Sequence, residues 1–152
     1  MRDDANTNQA LPRKASLEDF TGIVKLLQEE KLPTQDLIPG LSQLLVIELD
    51  EKIVGVAGIE LYGKLGLLRS VAVDKNYRNR SLATILIDDL LLYAAEQQIT
   101  DLYLITTSAE DYFSKKGFVV VNRDRVPGAI KSSSEFSTMC PSTAAVMIKA
   151  LL

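Results

Sequence analysis

The sequence predicts an α/β (α+β) chain built on a mixed, mostly antiparallel central sheet of six to seven strands with helices on both faces. Three observations predict it. Between residues 44 and 73 three apolar runs succeed one another through short polar turns, the pattern of an antiparallel meander. A helical stripe then leads into another strand-like run, Leu102 to Ile105, and such a strand–helix–strand crossover calls for parallel pairing. Finally, 152 residues that are 47% hydrophobic and 24% charged are enough for one sizeable core, so a single domain is expected over residues 10–152.

Met1 to Gln9 is polar, lacks the apolar stretch of a signal peptide, and reads as a flexible tail. Leu11 to Ala15 is a short strand, and Ser16 an N-cap with Glu18 and Asp19 in the first turn. Leu17, Phe20, Ile23, Val24 and Leu27 recur at helical spacing up to about Glu30. Pro33 and Pro39-Gly40 mark a loop with one helical turn around Asp36 to Leu41. Leu44 to Leu49, Ile53 to Tyr62 and Leu65 to Val73 are the meander strands, turning at Asp50-Glu51-Lys52 and Gly63-Lys64. A helix starts near Ser81, with Leu82, Ile85, Leu86, Leu90, Tyr93 and Ala94 on one stripe. After the Leu102 to Ile105 strand, Ala109 to Lys116 is a short helix stopped by Gly117. Phe118 to Val121 is a strand, Asn122 to Ser142 a long polar connection, and Ala144 to Lys149 a last strand.

Composition narrows the chemistry. There is no histidine and one cysteine, Cys140. That excludes Ser-His-Asp and Cys-His nucleophilic sites and an internal disulfide, and argues against a metal site. A net charge of -3 is a poor basis for nucleic-acid binding. No apolar run approaches the ~20 residues a membrane span needs, so a cytoplasmic protein with neither nucleic-acid nor membrane partners is expected.

Leu67 to Ala83 is the most informative stretch. A strand ends at Val73, and a loop carrying Arg78 and Arg80 leads to a helix that begins with Ser81, Leu82 and Ala83. Free amides at a helix start, two arginines and small side chains suit a pyrophosphate. The same pattern also fits an ordinary crossover loop with solvated arginines. Leu68 to Ala83 resembles the acetyl-CoA motif of the GNAT superfamily of acetyltransferases, an L-x-V strand end, a short loop and Arg/Gln-x-x-Gly-x-Gly/Ala. Val71, Val73, Arg78 and Ala83 match, while Ser81 stands at a usual glycine and Asn79 where glycine is frequent. The resemblance implies that residues 10–152 form a GNAT domain using acetyl-CoA as cosubstrate. It implies that Val71, Ala72 and Val73 pair with the pantetheine arm, that an amide near Val71 receives the developing oxyanion, and that Arg78, Asn79, Arg80, Ser81, Leu82, Ala83 and Thr84 hold the pyrophosphate.

Thr106 to Phe118 resembles a second motif of the family, Asn-x-x-Ala-x-x-x-Tyr-x-x-x-Gly-Phe, with Ala109, Gly117 and Phe118 matching. Thr106 replaces Asn, and Phe113 replaces a Tyr that in many members protonates the departing thiolate. The resemblance makes Thr106, Ser108 and Ala109 cofactor residues. Tyr112 is the neighbouring candidate acid, turned about 100° from the family position, or else a packing residue beside the cofactor.

Acetyl transfer to an amine needs a proton acceptor. The position where the family often carries Glu is Leu67, so Glu60 on the preceding strand is the best substitute, facing either a cleft or solvent. Arg69 lies two residues from Val71, and alternation would put both on one face. There it would bind a substrate carboxylate or pair with a local acid. Tyr62, Thr107 and Arg123 complete the substrate set. Leu68-Arg69-Ser70, Thr106 to Glu110, Arg123-Asp124, Glu135-Phe136 and Cys140-Pro141 together resemble the GNAT subgroup of arsenic-resistance clusters. That likeness implies acetylation of a small amino-acid-like amine, with Arg125, Lys131 and Ser133 as further lid residues and a homodimer as a common family state. Two other readings stay open: an acetyltransferase for a metabolic amino acid such as glutamate, and a sensor that binds acyl-CoA or an amino acid without turnover.

Overall fold

A computed structural model describes residues 11–32, 34, 43–78, 80–133 and 144–151. The expected turn around Asp36 to Leu41, the tail, Asn79, Glu135-Phe136 and Cys140 lie outside them. The strands are β1 (Arg13–Lys14), β2 (Leu44–Leu49), β3 (Lys52–Tyr62), β4 (Leu65–Val73), β5 (Asp101–Thr106), β6 (Val119–Val120) and β7 (Ala145–Ala150). The helices are α1 (Phe20–Glu29), α2 (Leu82–Glu96), α3 (Glu110–Lys115) and α4 (Gly128–Lys131). The strands form one mixed sheet in the order β1-β2-β3-β4-β5-β7-β6. As the crossover requires, β4 and β5 are parallel, with Leu65 opposite Asp101 and Leu67 opposite Tyr103. The outer strands are shorter than expected, yet Ala15 still donates to Leu44 and Val121 to Val146, each at 2.9 Å, so the ladder bonding outlasts the regular strand.

The chain falls into two compact units, residues 1–59 with 70–92, and residues 60–69 with 93–152. In the first, Ile23, Leu26 and Leu27 of α1 are buried with Leu44 and Val46 of β2, Val56 of β3 and Ala72 of β4. Each of the leucine, isoleucine and valine side chains among them stabilises the fold by roughly 1.5–3 kcal/mol. Entry to α1 is fixed by charge. Arg13 donates from both terminal nitrogens to Asp19, at 2.8 and 3.0 Å, and also reaches Glu48 at 2.8 Å. The Ser16 amide donates to Asp19 at 2.8 Å. Burial of Asp19 is thereby compensated, and Arg13 holds its carboxyl down at about 2. A Cβ on Gly55 would meet Leu86 Cδ1 at 3.1 Å, so β3 runs close beneath α2.

In the second unit Leu67, Tyr103, Val126, Ile130 and Val146 form the buried cluster. Val126 and Ile130 come from the stretch the sequence reads as a polar connection. A 3-10 turn at Arg123–Arg125 and α4 fold that stretch, and the two apolar residues, four apart, drop into the core. α3 ends at Gly117, whose φ of 97° lets Phe118 N–H return to the Phe113 carbonyl at 3.0 Å.

Candidate active site

The loop after β4 belongs to the first unit. Asp74 leaves the strand almost fully buried and anchors the turn beyond it. Its amide donates to Val54 at 2.8 Å, and its carboxylate accepts from the Asn76 amide and from Lys52, each at 2.8 Å. Lys52, and after it the Asn76 amide, pull the Asp74 carboxyl below its ordinary range. A 3-10 turn, Lys75–Tyr77, carries the chain to the arginines. Arg78 donates to Glu30 at 2.8 Å, and Arg80 lies over the Tyr77 ring, 5.0 Å from its centroid. Tyr77 in turn donates its hydroxyl to Asp50 at 3.0 Å.

Ser81 then adopts φ 61°, the left-handed conformation that glycine takes without cost. The serine at the glycine position therefore takes a conformation that a glycine would take. Ile85 N–H makes its bond to the Ser81 carbonyl at 3.0 Å, so the Leu82 and Ala83 amides stand ahead of the helical ladder. Of the residues expected to hold the cofactor here, Arg80 and Ser81 are exposed, Ala83 and Thr84 half-buried, and Leu82 buried with its side chain in the core. Two cations, a left-handed turn and a helix start make a donor set that fits a diphosphate.

Glu60, Tyr62 and Arg69 come together in the second unit. Tyr62 donates to one oxygen of Glu60 at 2.7 Å, and Arg69 to the other at 2.9 Å. Arg69 is 6% exposed, so its charge is balanced by a local acid, one of the two outcomes the sequence left open. The next residue, Ser70, has φ 57° in mid-strand. That break in the period-two alternation removes the geometric ground for expecting Arg69 and Val71 on one face.

The Thr106 hydroxyl accepts from the Ala109 amide at 2.9 Å and weakly from Ser108 at 3.4 Å, holding the turn into α3 as an asparagine would. Thr107 and Ser108 are exposed. Phe113 is buried edge-on against Phe118, 5.6 Å between ring centres, while Tyr112 is half-buried with its ring 5.2 Å from Phe113. The phenyl position is thus a core position, and the phenol sits beside it on a less buried face. Arg123 donates to the Ala144 carbonyl at 2.8 Å, tying its 3-10 turn to the start of β7. Ser133, expected in a lid, is buried with its hydroxyl on the Ile130 carbonyl at 2.7 Å. Sequence reasoning missed Asp50, Lys52, Asp74 and Glu30 as supports of the arginine loop. The signal available was the acidic turn Asp50-Glu51-Lys52.

Among the described residues no group of three His, Cys, Asp or Glu side chains could hold a metal ion, and no helix is long and apolar enough to cross a membrane. Residues 14–118 match the acetyltransferase (GNAT) family. The chain belongs to that family, and its seven-stranded mixed sheet is the GNAT fold. It is 26% identical over 128 residues to an amino-acid acetyltransferase of Buchnera aphidicola subsp. Schizaphis graminum, a match covering 78% of this chain and 29% of the relative. The chain thus spans under a third of the length of the curated relatives it matches. In fold it is similar to N-acetylglutamate synthase from Neisseria gonorrhoeae complexed with coenzyme A and N-acetyl-glutamate, with TM-score 0.80, 18% identity and coverage of 93% of this chain and 35% of that one. It is equally similar to Rv2747 from Mycobacterium tuberculosis, solved with CoA, with TM-score 0.80, 21% identity and coverage of 93% and 99%.

Proposed function

We propose that this chain moves the acetyl group of acetyl-CoA to the primary amine of a small amino-acid-like compound by direct attack. The observation that carries the reading is Ser81: a non-glycine residue held left-handed between two arginines and a helix start, where the family grips pyrophosphate. Membership of the acetyltransferase family and the named activity of the curated relatives support it.

Each part of the chain has a role in this reading. Backbone at Val71 to Val73 lies along the pantetheine arm. Arg78 and Arg80, the intervening Asn79 and the amides from Ser81 to Thr84 hold the phosphates, and the turn at Thr106, Ser108 and Ala109 helps seat the arm. Bound acetyl-CoA supplies an activated acyl group with a thiolate leaving group. Glu60 takes a proton from the acceptor's ammonium, freeing the nitrogen lone pair that attacks. Both its oxygens already accept one bond, but each keeps a further lone pair for that proton. The amine nitrogen forms its bond to the carbonyl carbon, an amide near Val71 receives the charge that develops on oxygen, Tyr112 protonates the departing sulfur as the C–S bond breaks, and the second proton of the former amine passes to the tyrosinate as the amide forms, leaving the first on Glu60 for release to solvent. Tyr62, Arg69, Thr107 and Arg123 shape the acceptor side. Arg69 does so through Glu60, which it holds at 2.9 Å.

The finer parts of the proposal are a cytoplasmic homodimer and an acceptor that contains arsenic, as the subgroup resemblance implies. The curated relatives are amino-acid acetyltransferases, which favours a metabolic amino acid such as glutamate as the other acceptor to try. The test is release of free thiol from acetyl-CoA in the presence of an amine panel including glutamate, other amino acids and an arsenic-containing amino acid. Release with at least one amine supports the enzyme. CoA binding with no release for any amine leaves the sensor reading.

A further inference from the structure

The two arginines of the coenzyme loop are held differently. Arg78 reaches a carboxylate, whereas Arg80 lies on an aromatic ring, with the Tyr77 centroid 5.0 Å from its guanidinium carbon. A cation–π contact with a ring spends none of the guanidinium's hydrogen-bond donors. The ring is itself fixed. Its hydroxyl donates to Asp50 at 3.0 Å, in the turn between β2 and β3. Asp50 and the adjacent Glu51 are both left-handed, at φ 54° and 63°, which sets the direction of that turn. Lys52 approaches the same ring at 5.9 Å and pairs with buried Asp74 at 2.8 Å. A chain of contacts therefore runs from the turn, through Asp50, to the Tyr77 ring and on to Arg80.

We propose that Tyr77, anchored by Asp50, is a positioning residue that holds the Arg80 guanidinium ready for the phosphates of the coenzyme. The proposal rests on the acetyl-CoA reading above. Its physical content is preorganisation: a long arginine side chain loses rotamer freedom on binding phosphate, and a ring that already orders it removes part of that cost.

The experiment is a double-mutant cycle read by calorimetric titration of CoA into the full chain. Tyr77→Leu weakens binding about fivefold in the wild-type background, the size of a cation–π contact with its ordering effect. In an Arg80→Met background the same change costs less than twofold, because the cation it serves is gone. Turnover at saturating acetyl-CoA stays within twofold of wild type, so the effect falls on KM and not on kcat. Asp50→Asn tolerates the left-handed backbone and lowers affinity by a smaller factor, and Tyr77→Phe does the same. These two keep the test alive should Tyr77→Leu not fold. An equal loss from Tyr77→Leu in both backgrounds, or no loss from Arg80→Met, overturns the proposal while leaving the coenzyme assignment standing. A wild-type chain that takes up no CoA overturns the coenzyme assignment first, and this proposal with it.

Discussion

Arg78 donates to the Glu30 carboxylate across 2.8 Å, so a cation assigned to phosphate already has an anionic partner just beyond the end of α1. Coenzyme binding then exchanges one anion for another. Replacing Glu30 by Gln removes the competing charge and is expected to tighten CoA about threefold, a fraction of the ~1.4 kcal/mol per decade. Arg78→Glu reverses the local charge and weakens CoA tenfold or more. Titration calorimetry reads both, and unchanged affinity in Arg78→Glu would remove the phosphate role of that side chain.

The Glu60–Arg69 pair separates chemistry from stability. Glu60→Gln keeps an acceptor oxygen for Arg69, turns an NH2 donor toward a Tyr62 hydroxyl that can rotate to accept, and cannot take a proton. It should lower kcat about 100-fold while leaving CoA affinity within twofold. Arg69→Met leaves a half-buried carboxylate short of its cation and should cost about 2 kcal/mol of folding stability by urea denaturation. A Glu60→Gln enzyme with full turnover would show that another group is the base.

Acid sensitivity should trace in part to Asp19. Its hydrogen bonds to Arg13 hold its carboxyl at about 2, from an ordinary 3.8, and the Ser16 amide adds to this against the opposing effect of burial. A carboxyl depressed in the folded state contributes stability above its unfolded value, and that contribution is lost as pH falls through the folded one. Because Arg13 is partly exposed, solvent weakens the pair to about 1 kcal/mol. Wild type should therefore lose that much more stability than Asp19→Asn between about pH 5 and pH 2. Parallel urea-midpoint curves for the two proteins across this range would refute the assignment.

Tyr112 and Phe113 should respond oppositely. Phe113→Ala opens a cavity beside Phe118 and should destabilise by about 3–4 kcal/mol. Tyr112→Phe keeps the ring in place and should slow acetyl transfer about tenfold without the cavity that Phe113→Ala opens. Equal turnover in Tyr112→Phe would reduce that phenol to a packing residue.

Much of the fold can be read from sequence because the meander runs are long, apolar and separated by strong turn residues. The bounds of β2 and β4 fall where periodicity puts them. Short helical turns carry no such period, so Lys75–Tyr77, Arg123–Arg125 and α4 escape a sequence reading, although Val126 and Ile130 have the i, i+4 spacing of a buried face. The Glu60–Arg69 pairing is within reach. A two-residue turn at Gly63-Lys64 sets residue 60 opposite 67 and makes 69 its diagonal neighbour. The left-handed Ser70 is not, since serine has no strong preference for that region and only its surroundings hold it there. The Arg78–Glu30 and Tyr77–Asp50 contacts join residues 48 and 27 positions apart, a separation no local pattern encodes.

An exposed hairpin tip is ordinarily where a tag or extra residues can be inserted without harm. The Asp50-Glu51-Lys52 tip is an exception in this chain. Lys52 grips Asp74, and Asp50 grips Tyr77, so lengthening the tip by even one residue would carry both anchors away from their partners. Anyone engineering this scaffold, or building a peptide-display variant of it, should leave that turn at its native length.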